Sequence, residues 1–469
     1  MANKQAIFLE GNLMRHISIM AASSSIGLVS MFLVDFADLL FISMLGAQEL
    51  AAAVGFAGTV LFFTVSVSIG MTIATSALVA QRLGRGDAIE ARKIATSVIV
   101  FGVITTSILA VICWIYAPQM LGLIGAKGAT QDLAARYFRI VVTAMPIAAI
   151  GMMATGILRA HGDARRAMTV TLTAGAVNAV LDPILIFGFG LGLDGAAYAS
   201  VAARLATLVT ALIPIFRHYG GFAWIDFARF KTDLKPIVAI AAPAMLTNVA
   251  TPFGSGFVTR AISEFGDSAV AAMAVAGRLT PLAFCVIFAL SGAVGPIIGQ
   301  NFGAKQFSRV RETLTKAVQF TAAYVLVVWI VLAISHGWIS TAFSLDEEGS
   351  QIVFWFAVAV APLFIFNGTL FVSNAAFNNL RRPFFSTALN WGKNTIGVVP
   401  FVYLGAEIGG APGVLIGQAI GGVVFGILGL WLAYRLVKRF ENGKSDPDKG
   451  LEFPLLRHRP EAPFNSPRT

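Results

Sequence analysis

The sequence predicts an all-α polytopic membrane protein made of twelve transmembrane helices in two six-helix halves. Three observations carry that expectation: composition, run length and charge placement. Apolar types make up 57% of the 469 residues and charged types only 12%, against roughly 25% charged in an ordinary soluble domain. Apolar runs of about 20 residues or more recur along the chain, each long enough to cross a roughly 30 Å hydrocarbon layer. They are continuous and rich in Ala, Leu, Val and Gly rather than alternating, which fits a transmembrane barrel poorly. Helices are then the remaining way to satisfy the backbone in lipid.

The candidate spans run near 17–44, 50–80, 94–116, 132–158, 168–188 and 192–215 in the first half. In the second half they run near 236–262, 268–299, 312–335, 351–377, 384–404 and 411–436. Several exceed the length of a single crossing, which allows tilt, bends or protruding ends. With this count, one set of connections holds RLGRGDAIEARK (82–93), RAHGDARR (159–166), the loop 217–235, GAKQFSRVR (303–311), Arg381–Arg382 and both termini. That set contains most of the 34 Lys and Arg residues, whereas the opposite set holds Lys127 beside acidic stretches such as LDEEGS (345–350). Positive charge stays on the cytoplasmic side, so both termini are expected inside. The net charge of +10 is therefore a topology signal, and no nucleic-acid partner is expected.

The N-terminal stretch MANKQAIFLEGNLMRH lacks the apolar region and cleavage site of a secretory signal, so the first span is expected to be retained. Cys113 and Cys285 lie in separate apolar runs and read as packing residues, with no disulfide framework or metal motif. Residues 438–469, rich in Pro, Gly and charge, read as a flexible cytoplasmic tail.

The chain also repeats itself. GAQELAAAVG (46–55), ahead of a span ending VAQRLGRGD (79–87), is echoed by GDSAVAAMAV (266–275), ahead of a span ending IGQNFGAKQ (298–306). GLGLDGAAYAS (190–200) matches EIGGAPGVLIG (407–417) in position. The expected organisation is an N-terminal bundle over 1–216, a linker loop over 217–235 and a C-terminal bundle over 236–437. Parallel repeats of this kind are a transporter plan, with the substrate route between them.

The stretches VDFADLLFISMLGAQELAAAV, VAQRLGRGD, GILRAHGDARRA, AGAVNAVLDPILIFGFGLGLDGAAYAS and GQNFGAK resemble the multidrug and toxic compound extrusion (MATE) family. The resemblance covers nearly the whole chain except the tail, and its specificity lies in the order of the stretches. It implies two bundles facing each other around a central cavity, in the bacterial inner membrane. It also implies export of drugs or organic cations driven by inward H+ or Na+, with no bound cofactor. A monomer among membrane lipids is expected.

The resemblance places the coupling site in the first half. Asp38 matches the family's first-helix aspartate, Asn178 and Asp182 its fifth-helix positions, Ser200 a hydroxyl on the sixth, and Tyr137 a position beside the acids. Read from the residues alone, Asn178 and Asp182 are i,i+4 and share a face, and Asp35 and Asp38 are i,i+3 neighbours. An aspartate at mid-span costs roughly 2.5–3.5 kcal/mol on insertion scales, so it faces a cavity or a partner. Ordinary explanations compete. Asp38 could be a helix-end acceptor, Asp182 could cap the backbone freed by Pro183, and Asn178 could be a plain interhelical hydrogen bond. Tyr137 could be an interfacial anchor, and Asp35 has no family equivalent. Desolvation and like charge favour protonation of paired acids, so H+ is expected over Na+. If Na+ is the ion, Asp38, Asn178 and Asp182 would supply its oxygens.

Two departures from the family stand out. The first helix has Ser23 where the family commonly has a proline, which removes the usual cause of a bend there. APAMLTNVATPFGSG (242–256) and APLFIFNGTLFVSNAAFNN (361–379) contain no acid, unlike the NorM-like Na+-coupled branch. Arg278 and Lys393 instead sit within second-half spans and are expected to pair with a carboxylate or snorkel. The competing function of this fold is a flippase for lipid-linked sugars. An enzyme is not expected, since no His, Cys or Ser grouping suggests activated chemistry, and no GxxxxGK[ST] loop suggests ATP drive.

Overall fold

The structure is a computed structural model describing residues 6–45 and 48–444, without the side chains of Asp35, Leu39, Ser43 and Gln48. The expected tail beyond residue 444 lies outside the described residues. A short 3-10 turn, Ile7–Leu9, precedes the helices. The first half holds α1 (Leu13–Ser43), α2 (Gln48–Gly84), α3 (Ala88–Ile115), α4 (Ala117–Leu123), α5 (Gly128–Thr143), α6 (Met145–Ala160), α7 (Ala164–Pro183) and α8 (Leu193–His218). The second holds α9 (Phe227–Ser263), α10 (Asp267–Ala283), α11 (Cys285–Gly303), α12 (Phe307–Ala342), α13 (Glu347–Trp355), α14 (Ala361–Asn379), α15 (Phe384–Gly392) and α16 (Val399–Glu441).

Among the described residues, ten stretches are long and apolar enough to cross a membrane, and the pair α5–α6, bent by 49°, makes eleven. The stretch Phe384–Glu441 is 58 residues long, far more than one crossing needs. It leaves helical geometry at Gly409 and Gly410, where φ reaches 60°, a conformation open to glycine. The chain reverses there and packs on itself. A Cβ on Gly405 would stand 2.1 Å from the Gly413 carbonyl oxygen, and one on Gly413 1.9 Å from that of Gly405. Divided at this turn, the stretch supplies two crossings and brings the set to twelve.

Helix starts follow from side-chain caps, because the first N–H groups of a helix lack internal partners. Asp87 accepts from Glu90 N at 2.9 Å, Asp163 from Arg166 N at 3.2 Å and Asp226 from Ala228 N at 3.0 Å. The last of these starts α9 at Phe227, inside the segment expected to be linker. Arg229 on that first turn then pairs with Glu90 of α3 at 2.5 Å, fastening the new helix to the first half. The first helix runs unbroken from Leu13 to Ser43, in keeping with its missing proline.

The halves meet at the basic-loop end through main-chain contact. A Cβ on Gly84 would lie 2.0 Å from the Gln300 carbonyl oxygen, and one on Gly303 2.1 Å from that of Gln81. Two matching QxxG ends, Gln81–Gly84 and Gln300–Gly303, thus cross reciprocally. Their amides also act in parallel: Gln300 Nε2 donates to Ala160 O at 2.8 Å, and Gln81 Nε2 to Asn379 O at 3.0 Å. The chain start joins this lock. Phe8 N donates to Gln300 Oε1 at 2.9 Å, and Phe8 O accepts from Asn301 and Arg309. Away from this end the cores separate. One apolar cluster draws only on residues 42–197 and another only on 258–415.

Candidate functional site

The acids converge because α1 packs on α7 and α7 on α8. Asn178 and Asp182 lie one turn apart on α7 and are buried, Asp182 completely. Pro183 closes that helix, and the chain widens into a π turn, Ile184–Gly188. A proline removes a donor and crowds the preceding turn, and π turns absorb such mismatches, often at functional sites.

With its amide nitrogen turned inward, Asn178 donates to both carboxylate oxygens of Asp38 at 3.2 Å. The Asp38 and Asp182 carboxyls lie within hydrogen-bonding reach of each other. Both Asp182 oxygens are nevertheless buried without a donor. Two ionised carboxylates offer each other only acceptors. One proton between them would supply the missing donor and remove one of two like charges.

Tyr137 of α5 is buried, with Ser200 of α8, Asp38, Asp182 and Arg204 among the groups that act on its hydroxyl. Its burial does not suit an interfacial anchor. The structure thus gathers Asp38, Asn178, Asp182, Tyr137 and Ser200. The side chain of Asp35 lies outside the described residues. Among those described, no group of three or more His, Cys, Asp or Glu residues could hold a metal ion.

The second-half cations stand apart from this cluster. Lys393 opens a π turn, Lys393–Gly397, and its Nζ donates to Asn367 Oδ1 on α14. Arg278 is exposed on α10. Neither makes an ion pair among the described residues, so the carboxylate partner considered for them is not found there.

Two residues escaped the sequence reading. Arg204 lies mid-span on α8, donates to Val141 O at 2.5 Å and borders Tyr137. The rule that singled out Asp38, an ionisable group within an apolar run, would have found it. Arg159 was counted with a basic loop, but it turns inward. Its Nη1 stands 3.4 Å from where a Gly292 Cβ would be, and its Nε is buried without a partner. No local signal marks that turn.

Comparison with known proteins accords with this arrangement. The chain is 27% identical over 423 residues to a protein named FAD transporter from Shewanella oneidensis strain MR-1, covering 89% of this chain and 93% of that one. It is 24% identical over 347 residues to the multidrug export protein MepA of Staphylococcus aureus strain NCTC 8325, covering 71% and 76%. The crystal structure of the Vibrio cholerae MATE transporter VcmN in its bent form superposes with a TM-score of 0.86 at 26% identity, over 92% of this chain and 98% of that one. The MatE family profile matches residues 24–184 and 243–404, one block in each half. Matched over most of its length, with two halves and a buried acid in the first, the chain belongs to the MatE family of multidrug efflux transporters.

Proposed function

We propose that this MatE transporter exports cationic or amphipathic compounds in exchange for protons moving inward. Asp38 and Asp182 carry the proton, Asn178 and Tyr137 position them, and Ser200 orients the tyrosine. The observation that carries this reading is the Asp182 carboxylate, fully buried with neither oxygen given a donor, against a second carboxyl. A proton resolves that geometry directly. The absence of acids from 242–256 and 361–379 supports confining coupling to the first half.

In this reading the basic-loop end, closed by the Gln81–Gln300 lock, is cytoplasmic, and the membrane is the bacterial inner membrane. A proton arriving from outside neutralises one acid, the α1–α7 contact rearranges, and the drug is released outward. Coupling of this kind requires different affinities in the two states, about tenfold for each 1.4 kcal/mol. The test is ethidium transport in inside-out vesicles with pH and Na+ gradients imposed separately. A pH gradient alone is expected to drive it in Na+-free buffer. Strict dependence on Na+ would overturn the proton assignment.

A further inference from the structure

The repeat gives the first-half site a counterpart. Asn178 and Asn394 stand at the same separation from the Arg-Arg pairs 165–166 and 381–382. Each is followed by a proline, Pro183 or Pro400, and the second half's extra residue falls at the π turn Lys393–Gly397. Where the first half reads Asp-Pro, the second reads Val-Pro. Asn394 is buried and packs on α9, its Oδ1 2.4 Å from where a Gly254 Cβ would be.

Beside this asparagine stands an ammonium. Lys393 Nζ donates to the neutral amide oxygen of Asn367, and among the described residues no carboxylate lies within ion-pair distance. The elements around it are α9, α14, α15 and α16, and their acids sit at or near their ends or at the α16 reversal: Asp233, Glu264, Glu407 and Glu441. Gly422 on α16 lies directly against the group, and a side chain there would touch it. A Cβ there would lie 3.6 Å from the Asn367 amide and 3.8 Å from Lys393 Cε. A cation drawn out of water without an anion is costly. Lys393 is only half-buried, so an incoming group has a surface to meet.

We infer that Lys393 and Asn367 form a second-half subsite for the anionic group of an aromatic organic anion, a carboxylate, sulfonate or phosphate. The subsite complements the acids of the first half and extends the substrates to anions and zwitterions. It takes the export reading above as its starting point.

The test measures uptake of 6-carboxyfluorescein, 4-methylumbelliferyl phosphate and ethidium into inside-out vesicles under an imposed gradient. Wild-type protein is expected to take up all three. Lys393→Gln should lower the ratio of either anion to ethidium at least about tenfold, and Lys393→Arg, which keeps the charge, should stay close to wild type. A proportional loss of all three in Lys393→Gln would mean a structural lysine and overturn the subsite. So would a wild type that transports ethidium and neither anion. Failure of wild-type ethidium transport would instead count against the export reading itself.

Discussion

Asn178 and Asn394 occupy corresponding places in the two halves, yet their neighbours have opposite charge. Asn178 faces the Asp38 carboxylate and shares its helix with Asp182, whereas Asn394 follows Lys393 and touches the bare backbone of Gly254. A duplicated scaffold has kept its polar anchor and its proline and exchanged the chemistry between them. The difference teaches where binding and coupling can be divided. In the proposed cycle a buried acid without a donor, set against a second carboxyl, responds to a proton. A single ammonium held by a neutral amide has no titrating partner, and it responds to charge brought by a ligand.

The largest effect is expected from breaking the acid side. Asp182→Asn or Asp38→Asn keeps size and hydrogen bonding but cannot carry proton charge, so gradient-driven ethidium export should fall at least about tenfold. Size-exclusion profiles should still show folded protein. Full-rate export by both variants would remove the contrast between the halves.

Next comes the junction on which both sites depend. Gly84→Val or Gly303→Val inserts side-chain atoms where even a Cβ would sit near 2 Å from a carbonyl oxygen. Overpacking of this kind costs about 1–3 kcal/mol. Both variants should melt at lower temperature and export poorly, and the reciprocal geometry predicts similar losses. Unchanged melting of either would mean that the crossing does not hold the halves together. Asn178→Ala should have a smaller effect, a partial loss of export, because it removes a donor to Asp38 and leaves both acids.

The smallest effect sharpens the pH assay itself. His161, between α6 and α7, is buried with Nδ1 2.9 Å from Ile157 O and its ring 4.2 Å from that of Tyr219. Burial holds its pKa below the ordinary 6.5. The unfolded chain therefore binds the proton first, and stability contributed by neutral His161 is lost as pH falls below about 6.5. Melting curves of wild type and His161→Gln at pH 7.5 and 5.5 should show a smaller acid-induced drop in the variant. An equal drop would place the acid sensitivity elsewhere.

Much of this was legible locally. Span lengths, the i,i+4 spacing of Asn178 and Asp182, and the acids within apolar runs depend on neighbours in sequence, and the structure gathers those residues. The start of α9 inside the expected linker was not legible, because Arg229 finds its partner Glu90 in α3. Nor was the inward turn of Arg159, set by a glycine on a helix of the other half. The π turn at Lys393 was equally hidden, since no proline precedes it within its helix. Contacts between helices far apart in the chain leave no periodicity to read.

The reciprocal crossing of Gly84 and Gly303 has a kinetic consequence. Because main chain meets main chain, no long side chain can swing aside to admit a file of water while the rest stays shut. Parting the two ends also breaks the Gln81 and Gln300 amide bonds and frees the chain start at Phe8. Opening this end therefore requires several main-chain and amide contacts to part together. Under the proposed proton coupling, a junction that parts as a whole limits leak between cycles.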